Sequence, residues 1–321
     1  MTRRCAISID VDSIACYYRI HGLGPAPARL RHVIMHRCVP RFIEILDRRG
    51  IQATFFIVAE DVEDVDDRTV GSEVRKSRAL VRELAASGHE IGNHSYSHPY
   101  QLARMGRVEV AEQIGRAHRL LGGLVDRPVV GFRAPGYDVS AVMLRCLMAL
   151  GYTYDSSIFP APGYYAAKAG IMAVLALLGR KSGAVLTDPR ALLAPADPYR
   201  PHIASPWRRG DAPLVELPIG LTPYARIPAI GTSLLLAPRP LRDHLLRAMR
   251  RRVFFNFELH GIDLADAVQD SIPDELVARQ PDLRVPLRKK RAALEALLDN
   301  IARHYQFATL AEASAALAGQ V

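Results

Sequence analysis

Gly88-His89-Glu90-Ile91-Gly92-Asn93-His94-Ser95-Tyr96-Ser97-His98 is the stretch on which the reading of this chain turns. Residues 89–92 read as a short strand, and two histidines separated by three residues follow it. Imidazoles at that spacing can converge on one divalent ion from a single turn of backbone. A His-x-x-x-His standing alone is common on solvated helix surfaces, so its meaning depends on its company. Cys5-Ala6-Ile7-Ser8-Ile9-Asp10-Val11-Asp12 reads as a first strand ending in an acidic pair. Asp10 and Asp12 are two apart and therefore share a face. Two like carboxylates side by side are costly without a positive partner, and a cation held by one leaves the other free as a base. Two histidines and one carboxylate leave coordination positions open, which is how catalytic zinc is held.

Outward from these two strands, short apolar or β-branched runs alternate with helix-period segments, which predicts an α/β architecture. Strands are expected near 5–10, 53–58, 89–92, 129–132, 152–155, 214–218 and 253–258. Helices are expected at Val39–Arg49, Arg78–Ser87, Val108–Gly122, Val139–Leu150 and Leu287–His304. Gly88 and Gly151 stop two of them. The 321 residues fit a single domain, 1–321, interrupted by insertions at 13–36 and 159–213. Long loops beside catalytic strand ends shape substrate pockets.

Apolar residues make up 49% and charged residues 23%, an ordinary globular balance. The net charge of +9 favours anionic partners, but no RNA-binding aromatic motif, finger spacing or basic helix points to nucleic acid. Cys5, Cys16, Cys38 and Cys146 show no paired spacing, as expected of reduced thiols in a cytoplasmic protein. Met-Thr-Arg-Arg leads straight into the first strand, without the apolar region of a signal peptide. No run reaches the roughly 20 apolar residues that span a bilayer. Tyr164–Leu178 is the longest apolar helix candidate, with Lys168 ahead of its apolar run and Arg180 and Lys181 behind it. Such a segment could lie in a membrane interface with its cations meeting phosphates, or could simply cap the fold. Arg208, Arg209, Arg226 and Arg239 are further candidates for phosphate contacts.

Three more strand ends carry chemistry. Gly131-Phe132-Arg133-Ala134-Pro135-Gly136-Tyr137 places an arginine that can fork onto a carboxylate before a tight turn whose N–H groups could face an oxyanion. Tyr154-Asp155-Ser156-Ser157 ends the next strand, and Asn256-Phe257-Glu258-Leu259-His260 ends a late one, where barrels put acids and bases.

These five segments, in this order, resemble the motifs of the NodB-homology polysaccharide deacetylases, carbohydrate esterase family 4. The resemblance runs from residue 5 to about 310, with the insertions poorly covered. It implies a distorted, incomplete (β/α)7 barrel. It implies that Asp12, His94 and His98 hold a divalent metal, usually zinc, that Asp10 is the general base and that Arg133 orients it. His260 would be the general acid, positioned by Asp155. The Gly136 N–H, with Tyr137 beside it, would serve the oxyanion, and Leu259 would line the acyl-methyl pocket. The chain departs from many members in having Val11 between its aspartates.

The expected activity is metal-dependent removal of an acetyl or formyl group from the nitrogen of an amino sugar. A cytoplasmic address suits a lipid-linked or other biosynthetic intermediate, as in the branch that deformylates undecaprenyl-linked aminoarabinose, with peripheral contact at the inner membrane face. Two alternatives stand beside it: a cyclic-amide hydrolase of the allantoin type on the same barrel, and a non-catalytic carbohydrate-binding derivative.

Overall fold

The computed structural model describes residues 2–63, 68–177, 179 and 186–321. Ten strands occur among them: β1 Arg4–Val11, β2 Thr54–Ile57, β3 Glu90–Asn93, β4 Gly131–Phe132, β5 Tyr154–Asp155, β6 Pro201–His202, β7 Ser205–Arg209, β8 Val215–Glu216, β9 Phe254–His260 and β10 Gln306–Ala308. Eight of them form one curled parallel sheet in the order β10-β1-β2-β3-β4-β5-β8, with β9 also paired to β1. Helices surround it, so the sheet is a half-barrel, as the motif resemblance implies. Between β8 and β9 no ladder forms among the described residues; the Gly220 N–H donates to the Asn256 carbonyl at 2.9 Å across that gap.

All seven expected strands are present, several of them trimmed. β4, β5 and β8 keep only two residues each because register with a neighbour is held at one or two positions. β10 went unread: Gln306-Phe307-Ala308 is too short to show alternation, and its pairing to Arg4–Ala6 is non-local. The helix expected at Val139–Leu150 runs Ala141–Ala149, started by Ser140, whose Oγ accepts the Met143 N–H at 3.3 Å. The 159–213 insertion holds the β6–β7 hairpin and the helix Pro162–Leu177; Leu178, Arg180 and Lys181 lie outside the described residues.

Alternation along the strands decides what fills the barrel. On β1, Cys5, Ile7, Ile9 and Val11 join the large core outside the sheet, while Ala6, Ser8, Asp10 and, just past the strand, Asp12 form the other row. The lower interior is apolar, with Ala6, Phe56, Tyr154, Leu217 and Phe254 closed off by Leu310 and Leu317 of the C-terminal helix. Room for two of these rings is made by glycine: a Cβ on Gly131 would lie 2.0 Å from the Tyr154 hydroxyl, and one on Gly92 would lie 2.5 Å from the Phe56 ring. Above this plug the interior turns polar, at the C-terminal ends of the strands.

Candidate functional site

Asp12, His94 and His98 meet at that end and are all buried. Asp12 Oδ1 lies 3.2 Å from His94 Nε2 and 3.1 Å from His98 Nε2. Neither contact has hydrogen-bond geometry, so this buried oxygen is left without a donor. The His94–His98 segment is a loop, not a helical turn: Ser95 and His98 take left-handed backbone, with φ of 67° and 55°. Asn93 Oδ1 accepts the Ser95 N–H at 2.7 Å and Ser95 Oγ accepts the His98 N–H at 3.1 Å, which holds the reversal. His94 Nδ1 is 2.8 Å from the Arg133 carbonyl oxygen. That contact makes Nδ1 the protonated nitrogen and leaves the Nε2 lone pair facing Asp12, the usual arrangement of a metal-ligating histidine. One carboxylate oxygen and two imidazole nitrogens, buried and converging, fit a divalent transition metal.

Asp10 and Arg133 sit beside this triad. Arg133 is fully buried, and Nη1 donates to Asp10 Oδ1 at 2.6 Å. Its Nη2 donates to Ser8 Oγ and Ser156 Oγ, both at 2.9 Å, and its Nε donates to the Ser156 carbonyl at 3.0 Å. Asn256 ties the two serines together, accepting from Ser8 and donating to Ser156. The guanidinium lies 4.3 Å above the Phe56 ring, completing a cage of one charge and four acceptors. Through this bond Arg133 fixes one carboxylate oxygen of Asp10. Asp10 Oδ2 is 3.9 Å from His94 Nε2, facing the metal-ligand set.

His260 stands beside Asp10, its register partner on the adjacent strand β9, and here the structure corrects one expectation. Asp155 does not position it. His260 Nδ1 is 2.8 Å from Glu258 Oε1, its neighbour two residues back on the same face of β9. Burial would strip the proton from this imidazole, but Glu258, with Asp10 and Asp12 further off, outweighs burial and raises its pKa well above the ordinary value. Asp155 is occupied elsewhere. Ser157 Oγ donates to it at 2.5 Å, and it shares a hydrogen bond with Glu216, also buried. Burial pushes the Asp155 carboxyl up to about 6 and raises that of Glu216 well above the usual carboxylate range. Ser157 Oγ also accepts the Ala134 N–H at 2.8 Å, so Asp155 acts on the turn after Arg133 and not on His260.

Two further expectations meet a different geometry. Leu259 alternates away from Glu258 and His260 and packs in the outer core, where a Cβ on Gly231 would come 2.7 Å from its Cδ2. It does not line a pocket at the acid. Tyr137 reaches the site with its hydroxyl, which donates to Glu258 Oε1 at 3.1 Å and lies 3.1 Å from His260 Nε2. Its own N–H is taken by the Ala134 carbonyl at 3.2 Å, so Tyr137 bears on the acid and not on an oxyanion. Gly136, at φ 73°, lies against Tyr100, whose ring stands edge-on to His98 with centroids 4.7 Å apart. The turn thus borders the metal-ligand set.

Glu258, Glu216, Ser8, Ser156 and Asn256 were not singled out in the sequence. For Glu258 a signal existed: the period of two that joins Asp10 to Asp12 also joins Glu258 to His260. Replacing Glu258 with Gln is expected to lower the apparent pKa of His260, read by NMR of labelled histidine, and to cut turnover by about 10-fold or more. An unmoved His260 resonance would assign the contact no electrostatic role.

A sequence profile of the polysaccharide deacetylase family matches residues 31–154, a span that contains His94, His98 and Arg133. The peptidoglycan deacetylase of Helicobacter pylori is 21% identical over 155 residues, 48% of each chain. A chitooligosaccharide deacetylase of Bradyrhizobium is 26% identical over 160 residues, 48% of this chain and 63% of the relative. The peptidoglycan-N-acetylglucosamine deacetylase of Bacillus cereus is 33% identical over 106 residues, 33% of this chain and 34% of the relative. The chain thus spans about half the length of the curated relatives it matches. Among solved structures, a polysaccharide deacetylase from Mycobacterium smegmatis, so described without an established activity, superposes with a TM-score of 0.59 at 17% identity, covering 99% of this chain and 91% of that one. The Puue allantoinase superposes at 0.56 and 13% identity, covering 98% and 89%. These two likenesses show the fold. Together the matches bear out the resemblance to NodB-homology polysaccharide deacetylases.

Proposed function

We propose that this chain, a relative of the polysaccharide deacetylases with their curled barrel, hydrolyses the N-acyl group of an amino sugar with the help of a divalent metal. The observation that carries the reading is the convergence of Asp12, His94 and His98 beside Asp10 and His260, which are paired across neighbouring strands at the same rim. Held by those three residues, zinc or a similar ion would supply Lewis acidity, lowering the pKa of water and polarising the acyl carbonyl. Asp10, fixed through Oδ1 by Arg133, keeps Oδ2 for the proton of the attacking water. The Gly136 N–H is the backbone donor proposed for the developing oxyanion. His260, kept protonated by Glu258, gives its proton to the departing nitrogen, which would otherwise leave as a very poor anion. The amine takes the place at Nε2 that the Tyr137 hydroxyl holds in this structure. The products are a free amine and acetate or formate. In this reading one catalytic unit spans 1–321, with 13–36 and 159–213 as walls of its mouth.

For the substrate we favour a lipid-linked sugar handled at the cytoplasmic face of a membrane. The helix Pro162–Leu177 has no acidic residue, and Ile171, Val174 and Leu177 are 63%, 56% and 88% exposed. No helix among the described residues is long and apolar enough to cross a membrane. The start of this helix lies at the acid: Tyr164 packs on Phe159 at 5.1 Å, and Phe159 packs on Tyr137 at 5.6 Å between ring centroids. A lipid chain resting on the helix would leave its sugar headgroup at His260. The four cysteines are free thiols, in keeping with a reducing compartment.

The test is release of acetate or formate from N-acylated amino sugars, against allantoin as the competing amide, before and after removal of metal by a chelator. Chelator-sensitive acid release from the sugar, restored by zinc, is expected; hydrolysis of allantoin alone would reassign the barrel to cyclic amides. With no hydrolysis of either, a carbohydrate-binding role would replace the enzyme. Co-sedimentation with anionic vesicles is expected to fall when Ile171, Val174 and Leu177 are changed to Ser.

A further inference from the structure

Beside the metal-ligand set lies a cavity of about 360 Å³, lined by Ser13, Cys16, Arg19, Arg31, Asp61 and His98. Its volume is in the range that accommodates a small ligand. The insertion that follows Asp12 builds one wall, and the residues after β2 build the other. His98 is both a lining residue and a member of the triad, so a sugar whose N-acyl group reaches the metal ligands has its remaining atoms within reach of this cavity.

The charges at its edge are unevenly matched. Arg19 and Arg31 are exposed, and among the described residues neither has a carboxylate within ion-pair distance. Several other arginines are used up internally: Arg41 on Asp270, Arg116 on Glu63 and Arg252 on Asp197. Arg226, a candidate phosphate contact in the sequence, spends its guanidinium on the carbonyls of Pro160 and Leu192. Arg19 Nη2 rests 3.3 Å from Cys16 Sγ, on the cavity wall. Of the two acidic groups, Glu60 is exposed to solvent, and Asp61 is a buried carboxyl that burial pushes up to about 7 against the pull of Arg31. Asp61 suits a hydrogen bond with a sugar hydroxyl better than a role as fixed counter-charge.

Building on the deacylase reading, we propose that this cavity binds a phosphate carried by the substrate, with Arg19 and Arg31 as its ligands, so that the amino sugar is deacylated as a phosphate ester. Two guanidiniums on one rim present forked donors that match phosphate oxygens, whereas a neutral oligosaccharide would leave them without a partner.

The experiment compares deacylation of N-acetylglucosamine 1-phosphate and N-acetylglucosamine by the zinc-loaded protein and its R19Q/R31Q variant. The phosphorylated sugar is expected to be preferred by about 100-fold in kcat/KM, and the variant is expected to lose most of that ratio. A ratio near one in the parent protein, or an unchanged ratio in the variant, would overturn the assignment. Binding of inorganic pyrophosphate to chelator-stripped protein, measured by calorimetry, decides the same point without turnover: R19Q/R31Q should abolish it, and equal binding would contradict the proposal. Absence of acid release from both sugars would remove the deacylase reading while leaving this binding result standing. Ile171→Ser/Val174→Ser distinguishes the source of the phosphate: slower turnover confined to a polyprenyl phosphate-linked sugar in micelles identifies a lipid headgroup, and equal rates identify a soluble sugar phosphate.

Discussion

Replacing Asp10 with Asn is expected to lower kcat by about 1,000-fold, within the range that a positioned general base contributes. The substitution is nearly isosteric, and an amide oxygen can still accept from Arg133, whose other donors remain on Ser8 and Ser156. The variant therefore keeps the barrel and the Asp12–His94–His98 set, and loses the basic oxygen that faces them from 3.9 Å. Steady-state kinetics and metal content should be measured on the same preparation. A large fall in kcat at unchanged metal occupancy is the predicted outcome. Near-normal turnover would hand the base role to another group, and loss of metal would place Asp10 among the ligands.

The second large effect is on stability. Changing Arg133 to Leu removes the one cation of a fully buried cage and leaves Asp10, Ser8 and the Ser156 carbonyl without the donor they share. Breaking a buried pair from one side costs about 3–5 kcal/mol, because the remaining charge stays out of water unpaired. Unfolding in denaturant should show a lower midpoint with an unchanged slope. Arg133→Lys should recover little of this, since one ammonium cannot bridge Asp10 on one flank and Ser156 on the other. The double change Asp10→Asn/Arg133→Leu should cost less than the sum of its parts, as expected when both remove the same interaction. Strict additivity would mean that the pair does not stabilise the fold as described.

Much of this was legible from local rules. The period of two placed Asp10 and Asp12 on one face, strand ends gathered Arg133, His94 and His260 on one rim, and the structure brings the expected metal ligands together. What could not be read is set by contacts between distant strands. The motif resemblance implies Asp155 as the partner of His260, yet Asp155 pairs across to Glu216 on β8 while His260 finds Glu258 within its own strand. The same resemblance implies a pocket role for Leu259, although alternation sends it to the face opposite His260. The left-handed backbone at Ser95 and His98 has no signature in residue type, and it turns an apparent helical spacing into a loop. Shape complementarity explains Gly92 and Gly131, whose need for a missing Cβ depends on rings supplied by other strands.

The most direct test of the whole account is zinc binding by chelator-stripped protein, followed by calorimetry in the parent chain and in His98→Ala and Asp155→Asn variants. One tightly bound equivalent is predicted for the parent and for Asp155→Asn, with binding weakened by orders of magnitude in His98→Ala. A parent chain that takes up no zinc, or a His98→Ala variant that binds it equally well, would contradict the claim that Asp12, His94 and His98 form a metal site.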